Sequence, residues 1–96
     1  MKITKTSLKF AEKRDFEIQI NDENEIKEVR LLTKNEEKNY FVKFENNARG
    51  LFFMKTNLEQ QIKEELPYWI ETEKQFREVI QFIRKEINIE NFLKYP

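Results

Sequence analysis

Histidine and cysteine are both absent from this chain, and glycine, tryptophan and serine each occur once among its 96 residues. Each scarcity excludes a class of chemistry. Without histidine, the usual general base near neutral pH is missing, and with it the commonest metal ligand. Without cysteine there is no disulfide framework, thiolate nucleophile or zinc–thiolate site. Ser7 has neither His nor Cys to activate it, so no standard nucleophile–base pair forms. The single glycine, Gly50, excludes the P-loop and the dinucleotide fingerprint, which need several glycines for close phosphate approach. Long apolar runs are also missing. None approaches the ~20 residues of a membrane span, and the start alternates polar and apolar residues without the apolar stretch of a signal peptide.

Charge of one sign is missing too: 18 Lys and Arg balance 18 Asp and Glu. A general polyanion binder would be visibly basic. What the chain does have is aromatic bulk, with nine Phe, three Tyr and one Trp in a composition that is 39% apolar. A few large rings fill a small core efficiently, so residues 1–96 are expected to form one domain. Usage weighted to Lys, Asn, Ile and Phe follows AT-rich codons. It points to an AT-rich bacterium or its phage, while the missing signal peptide and membrane span make a cytoplasmic location the expectation (the host cytoplasm if phage-encoded).

The pattern predicts an α+β fold. Phe16 to Ile20 alternates strictly, the period of a half-buried strand, and Asn21-Asp22-Glu23-Asn24 reads as a turn. Ile26 to Thr33 and Tyr40 to Phe44 read as further strands, separated by the charged turn 34–39. Asn46 to Gly50 is a turn with Gly50 at a positive-φ position, and Leu51 to Met54 is the next strand. Ile3 to Phe10 is expected to be a strand, with Leu8 and Phe10 on one face. This makes an antiparallel meander of four or five strands over about residues 3–55.

The period then changes. Thr56 and Glu59 have capping-box spacing, and Leu58, Ile62 and Leu66 predict a helix over 57–66 that Pro67 stops. A second capping box, Thr72 with Gln75, predicts a helix over 72–88 whose apolar stripe is Phe76, Val79, Ile80, Ile83 and Ile87. Ile89, Phe92, Leu93 and Tyr95 suggest a short C-terminal turn. The two helices are expected to cover one face of the sheet.

Sixteen glutamates make close carboxylate pairs inevitable, so no pair signals glycoside hydrolysis. Asp22, Asn24 and Glu25 lack the spaced ligands and central glycine of a calcium loop. No enzyme activity, cofactor or metal is expected. The informative stretch runs from Tyr40 to Lys55, where rings interleave with cations. Tyr40, Val42, Phe44, Leu51 and Phe53 are expected on the core face. Phe41, Phe52 and Met54 fall on the other face, either covered or forming an exposed apolar patch. The candidate partner-binding residues are Phe41, Lys43, Arg49, Phe52 and Lys55. Tyr68 and Trp69, just after Pro67, are of the types enriched at interface hot spots, but a lone Trp in a domain this small is expected to serve instead as a core or hinge residue.

Phe41-Val42-Lys43-Phe44 resembles the last four positions of the RNP1 signature of RNA-recognition motifs. Glu37 to Tyr40 departs from the rest of that signature, and the motif's helix between its first two strands has no counterpart. The expected function is a small non-catalytic protein-binding domain. Its narrower form is a phage or mobile-element inhibitor of a bacterial defence complex, of the anti-CRISPR kind. The alternative is a single-stranded nucleic-acid binder using the aromatic and basic sheet face. An open sheet edge also offers a route to a homodimer.

Overall fold

Asp15, at φ 65°, turns the chain from its first helix into its sheet. Aspartate is among the few non-glycine residues that visit this left-handed region readily. The computed structural model describes residues 1–23, 25–33 and 40–87. Within them, α1 (Lys5–Glu12) precedes four strands: β1 (Phe16–Asn21), β2 (Glu28–Thr33), β3 (Tyr40–Asn47) and β4 (Gly50–Thr56). A short α2 (Gln60–Lys63), a two-residue β5 (Trp69–Ile70) and α3 (Glu73–Glu86) complete the order. The sheet is an antiparallel meander in the order β1-β2-β3-β4-β5.

The α+β class and the antiparallel sheet match the sequence reading, but the fifth strand does not come from the N-terminus. Residues 5–12 form α1 because Ser7 and Ala11, both fully buried, stand four apart on one helical face. The two fully buried positions of α1 are small, so hydropathy does not reveal them, while Leu8 and Phe10 pack on the core only in part. The fifth strand is instead β5, which pairs Leu51 with Ile70 and Phe52 with Trp69. The helix expected over 57–66 also differs. Thr56 ends β4, and its hydroxyl accepts from Leu58 N–H at 3.1 Å, so it closes a local turn rather than a capping box. Only four residues are α-helical before the backbone tightens to bonds from Glu65 N to Ile62 O and Leu66 N to Lys63 O.

Two bulges decide which side chains share a face. Leu31 opposes Val42 while Leu32 opposes Tyr40, which leaves Phe41 as an extra residue in β3. Phe41 and Val42 are therefore both fully buried in the core. Phe41 meets Phe16 edge-on at 5.3 Å between ring centroids. The expectation that Tyr40 faces the core and Phe41 the other way is thus reversed. A second shift leaves Met54 unpaired between Phe44↔Phe53 and Lys43↔Lys55.

The core joins Phe16, Ile18, Val29, Leu31, Val42, Phe44, Leu51 and Ile70 of the sheet to Phe76, Val79, Ile80 and Ile83 of α3. Each such side chain contributes roughly 1.5–3 kcal/mol by burial. Phe44 and Phe76 meet edge-on at 6.0 Å, seating α3 over the middle of the sheet. α3 starts as the sequence predicts: Thr72 Oγ1 accepts from Gln75 N–H, and Gln75 Oε1 accepts from Thr72 N–H, both at 3.2 Å. The turn expected at 34–39, Asn24 and the C-terminal turn after Asn88 lie outside the described residues.

Candidate functional site

On the face away from α3, the strand register arranges side chains in rows. One row runs from Gln19 through Arg30 and Lys43 to Lys55, each opposite the next on adjacent strands. Lys55 joins it only because of the Met54 bulge, since plain alternation would put Lys55 on the side of Phe53. Three cations standing directly opposite one another repel. Glu28 offsets part of that, with its carboxylate 3.0 Å from Arg30 Nη2 and 3.7 Å from Lys43 Nζ. The Tyr40 ring, brought to this face by the Phe41 bulge, lies 5.8 Å from Arg30 and 5.6 Å from Lys43.

The next row runs Asn21, Glu28, Glu45, Phe52, Trp69. Its β4–β5 end is aromatic. Phe52 stacks on Trp69 at 5.9 Å with 17° between planes, and Tyr68 meets Phe52 edge-on at 6.4 Å. Trp69 Nε1–H donates to the Arg49 carbonyl at 3.0 Å, which pins the indole over the β3–β4 turn. A hollow of about 370 Å³ is lined by Arg49, Phe52 and Trp69. Tyr68 is 72% exposed and Trp69 45% exposed, although both are large rings. The turn beneath them depends on Gly50 at φ 133°, where a Cβ would collide with the Ile70 carbonyl oxygen.

The five sequence-predicted residues thus part company. Arg49 and Phe52 come together at the aromatic end, and Lys43 and Lys55 oppose each other in the cation row. Phe41 is withdrawn into the core. Sequence reasoning places Tyr68 and Trp69 beside Pro67 without joining them to Phe52. The missing signal is β5, too short to show a period. Arg30 and Tyr40 do not stand out for this face in the sequence either, because their placement depends on register and on the bulge.

Two other polar features are already engaged. Ser7 Oγ is 2.5 Å from Glu73 Oε2 and accepts from Arg77 Nη1 at 3.1 Å, so the single serine is held in a network between α1 and α3. A larger hollow of about 600 Å³ beside Met1 is lined by charges of both signs, Lys2 and Lys27 with Asp22 and Glu25. The Met1 ammonium there is bound by Asn46 Oδ1 at 2.7 Å and the Asn47 carbonyl at 3.0 Å. Among the described residues, no group of three or more Asp or Glu is placed to hold a metal ion, and no helix is long and apolar enough to cross a membrane. Comparison with protein-family models, curated proteins and solved structures found no match for this chain.

Proposed function

We propose that this chain is a non-catalytic protein-binding module that docks on a larger partner through Arg49, Phe52, Tyr68 and Trp69. The observation that carries this reading is the exposure of Tyr68 and Trp69 in a preassembled cluster with Phe52. Trp, Tyr and Arg dominate binding hot spots because they offer large contact area and a polar handle together. Here the rings are already stacked and hydrogen-bonded, so little ordering entropy is spent on docking. A module of this kind acts by occupying its partner's surface, and the narrower proposal is inhibition of a bacterial defence complex.

A second reading, single-stranded nucleic acid, is favoured by the Arg30–Lys43–Lys55 row between Tyr40 on one side and Phe52–Trp69 on the other. The protein reading takes precedence because Glu28 already engages two of those three cations and presents a carboxylate where a phosphate would sit.

The test is capture from lysate with the immobilised full chain, with and without nuclease, against Y68A and R49A. A stoichiometric protein that survives nuclease and is lost with Y68A supports docking at the ring cluster. Material lost with nuclease, together with oligonucleotide affinity that falls linearly on a log–log plot against salt, supports the second reading.

A further inference from the structure

The two edges of the sheet are built differently. β5 is two residues long and follows closely on Pro67, so it presents little backbone for another strand to join. β1, at the other edge, offers six residues, and its register with β2 runs unbroken from Phe16↔Thr33 to Asn21↔Glu28. It carries none of the devices that blunt an edge. There is no lysine, proline or bulge in it, and its one charge, Glu17, lies on the face away from the core. An edge strand turns the N–H and C=O of alternate residues outward. Among the described residues, no backbone group bonds to that outer side of β1. α1 does not fill the edge, because Ser7–Glu73 and Arg14–Gln81 hold it along α3. Phe16 and Ile18 are buried on the core side, yet Ile20, next on that side, is left 42% exposed.

We infer that β1 pairs antiparallel with β1 of a second copy, about a two-fold axis through Ile18, joining two five-stranded sheets into one. An axis perpendicular to the sheet keeps both cores on the same side, so each residue meets one of its own face. Phe16 then stands opposite Ile20, Glu17 opposite Gln19, and Ile18 opposite itself. The first is an aromatic–β-branched pair, no like charges are opposed, and Ile20 loses its exposure. Past the strands, the same register carries the exposed Asp22 and Glu23 of each copy toward the exposed Lys13 of the other. Lys13 has no carboxylate of the described chain within 4.0 Å. One segment thus supplies both halves of the contact, as an isologous interface requires. A foreign strand would meet the same backbone, but the second copy brings the complementary side chains with it. Assembly stops at the dimer because β5 is too short to continue the sheet. Tyr68 and Trp69 lie toward the far edge of each copy, so the dimer presents the proposed docking surface twice. The inference does not rest on that docking reading.

The test is sedimentation equilibrium of the full chain over a concentration series, read beside amide exchange of the β1 residues. A reversible monomer–dimer equilibrium is expected, with the β1 amides that do not pair with β2 gaining protection as concentration rises. I20K sets a lysine at the exposed edge position, opposite Phe16, and is expected to weaken dimerisation about tenfold or more. A urea midpoint near the parent's shows that this variant still folds. K13E and E23K are each expected to weaken dimerisation about fivefold, since each dimer holds that exposed charge contact twice. The double variant restores the pair with its signs exchanged and should recover the parent constant. A chain that stays monomeric at millimolar concentration, a dimer indifferent to I20K, or a double variant no tighter than the single ones overturns the inference. So does β1 protection that arises only with a captured partner, which would assign the edge to a foreign strand. These readouts involve no capture, so their failure is distinct from failure of the docking proposal, which Y68A and R49A test.

Discussion

Oε2 of Glu73 accepts the Ser7 hydroxyl at 2.5 Å, the Thr4 hydroxyl at 2.8 Å and the Thr4 backbone N–H at 3.1 Å. Residues nearly seventy apart in sequence thereby fix the start of α1 to the start of α3. Burial pushes the Glu73 carboxyl pKa up, but the bonds from Ser7 and Thr4, with the Arg77 guanidinium 3.8 Å away, outweigh it and hold the pKa below its ordinary value.

A carboxyl depressed on folding contributes stability above its unfolded pKa, and that stability is lost as pH falls through the folded value. Urea unfolding at a series of pH values is therefore expected to show E73Q less stable than the parent by about 1–2 kcal/mol near neutrality. The gap should narrow as pH drops below about 4.3, where an ordinary glutamate takes up its proton. A gap independent of pH would remove the ionised carboxylate from the account.

Among the described residues, Gly50 is the place where the backbone leaves least choice of residue. At φ 133° a side chain is strained, and a Cβ there would overlap the Ile70 carbonyl oxygen and approach Trp69 Nε1 at 3.2 Å. G50A is expected to cost more than about 2 kcal/mol. It should also displace β5, so the tryptophan fluorescence of the folded variant should shift to longer wavelength. A neutral G50A would mean that β5 can move without cost.

How much of the fold and the site is legible in the sequence depends on whether each signal is local. The α3 stripe and its Thr72–Gln75 box are periodic and self-contained, and so is the Phe16–Ile20 alternation; the box, the stripe from Phe76 to Ile83 and the β1 strand appear as read, while Ile87 is extended beyond the helix end and Ile20 is exposed. The α1 helix is hidden because its buried positions, Ser7 and Ala11, are small rather than hydrophobic. The faces of Tyr40, Phe41 and Lys55 depend on bulges at Phe41 and Met54, which are properties of strand pairing between segments. Alternation alone therefore assigns the right residue types to the wrong sides. The ring cluster needs β5, whose two residues carry no period of their own.

Phe41 and Phe52 are equivalent in the sequence pattern and opposite in the structure. Phe41 is fully buried against Phe16, so F41A should cost about 3–5 kcal/mol as a core deletion. Phe52 lies half-buried on the open face, so F52A should cost markedly less stability while weakening partner capture. Denaturant midpoints set beside capture yields from the same preparations check both. Equal stability losses would return Phe52 to the core and empty the proposed surface.

Lys55 allows the two functional readings to be separated by one substitution. It stands opposite Lys43 across β3 and β4 with no carboxylate of the described chain within 4.0 Å. K55E replaces a like-charge pair by an opposite one, which is expected to raise stability by about 0.2–1 kcal/mol, seen as a higher urea midpoint with an unchanged slope. If the row serves a phosphate backbone, the same change should weaken oligonucleotide binding and lower its salt slope by about one unit, as one cation is replaced by a repelling carboxylate. If docking occurs through Tyr68 and Trp69, K55E should leave protein capture close to the parent level. A variant that is more stable and still captures its partner would identify the cation row as a tolerated cost of the register, and the ring cluster as the part of the face that binds.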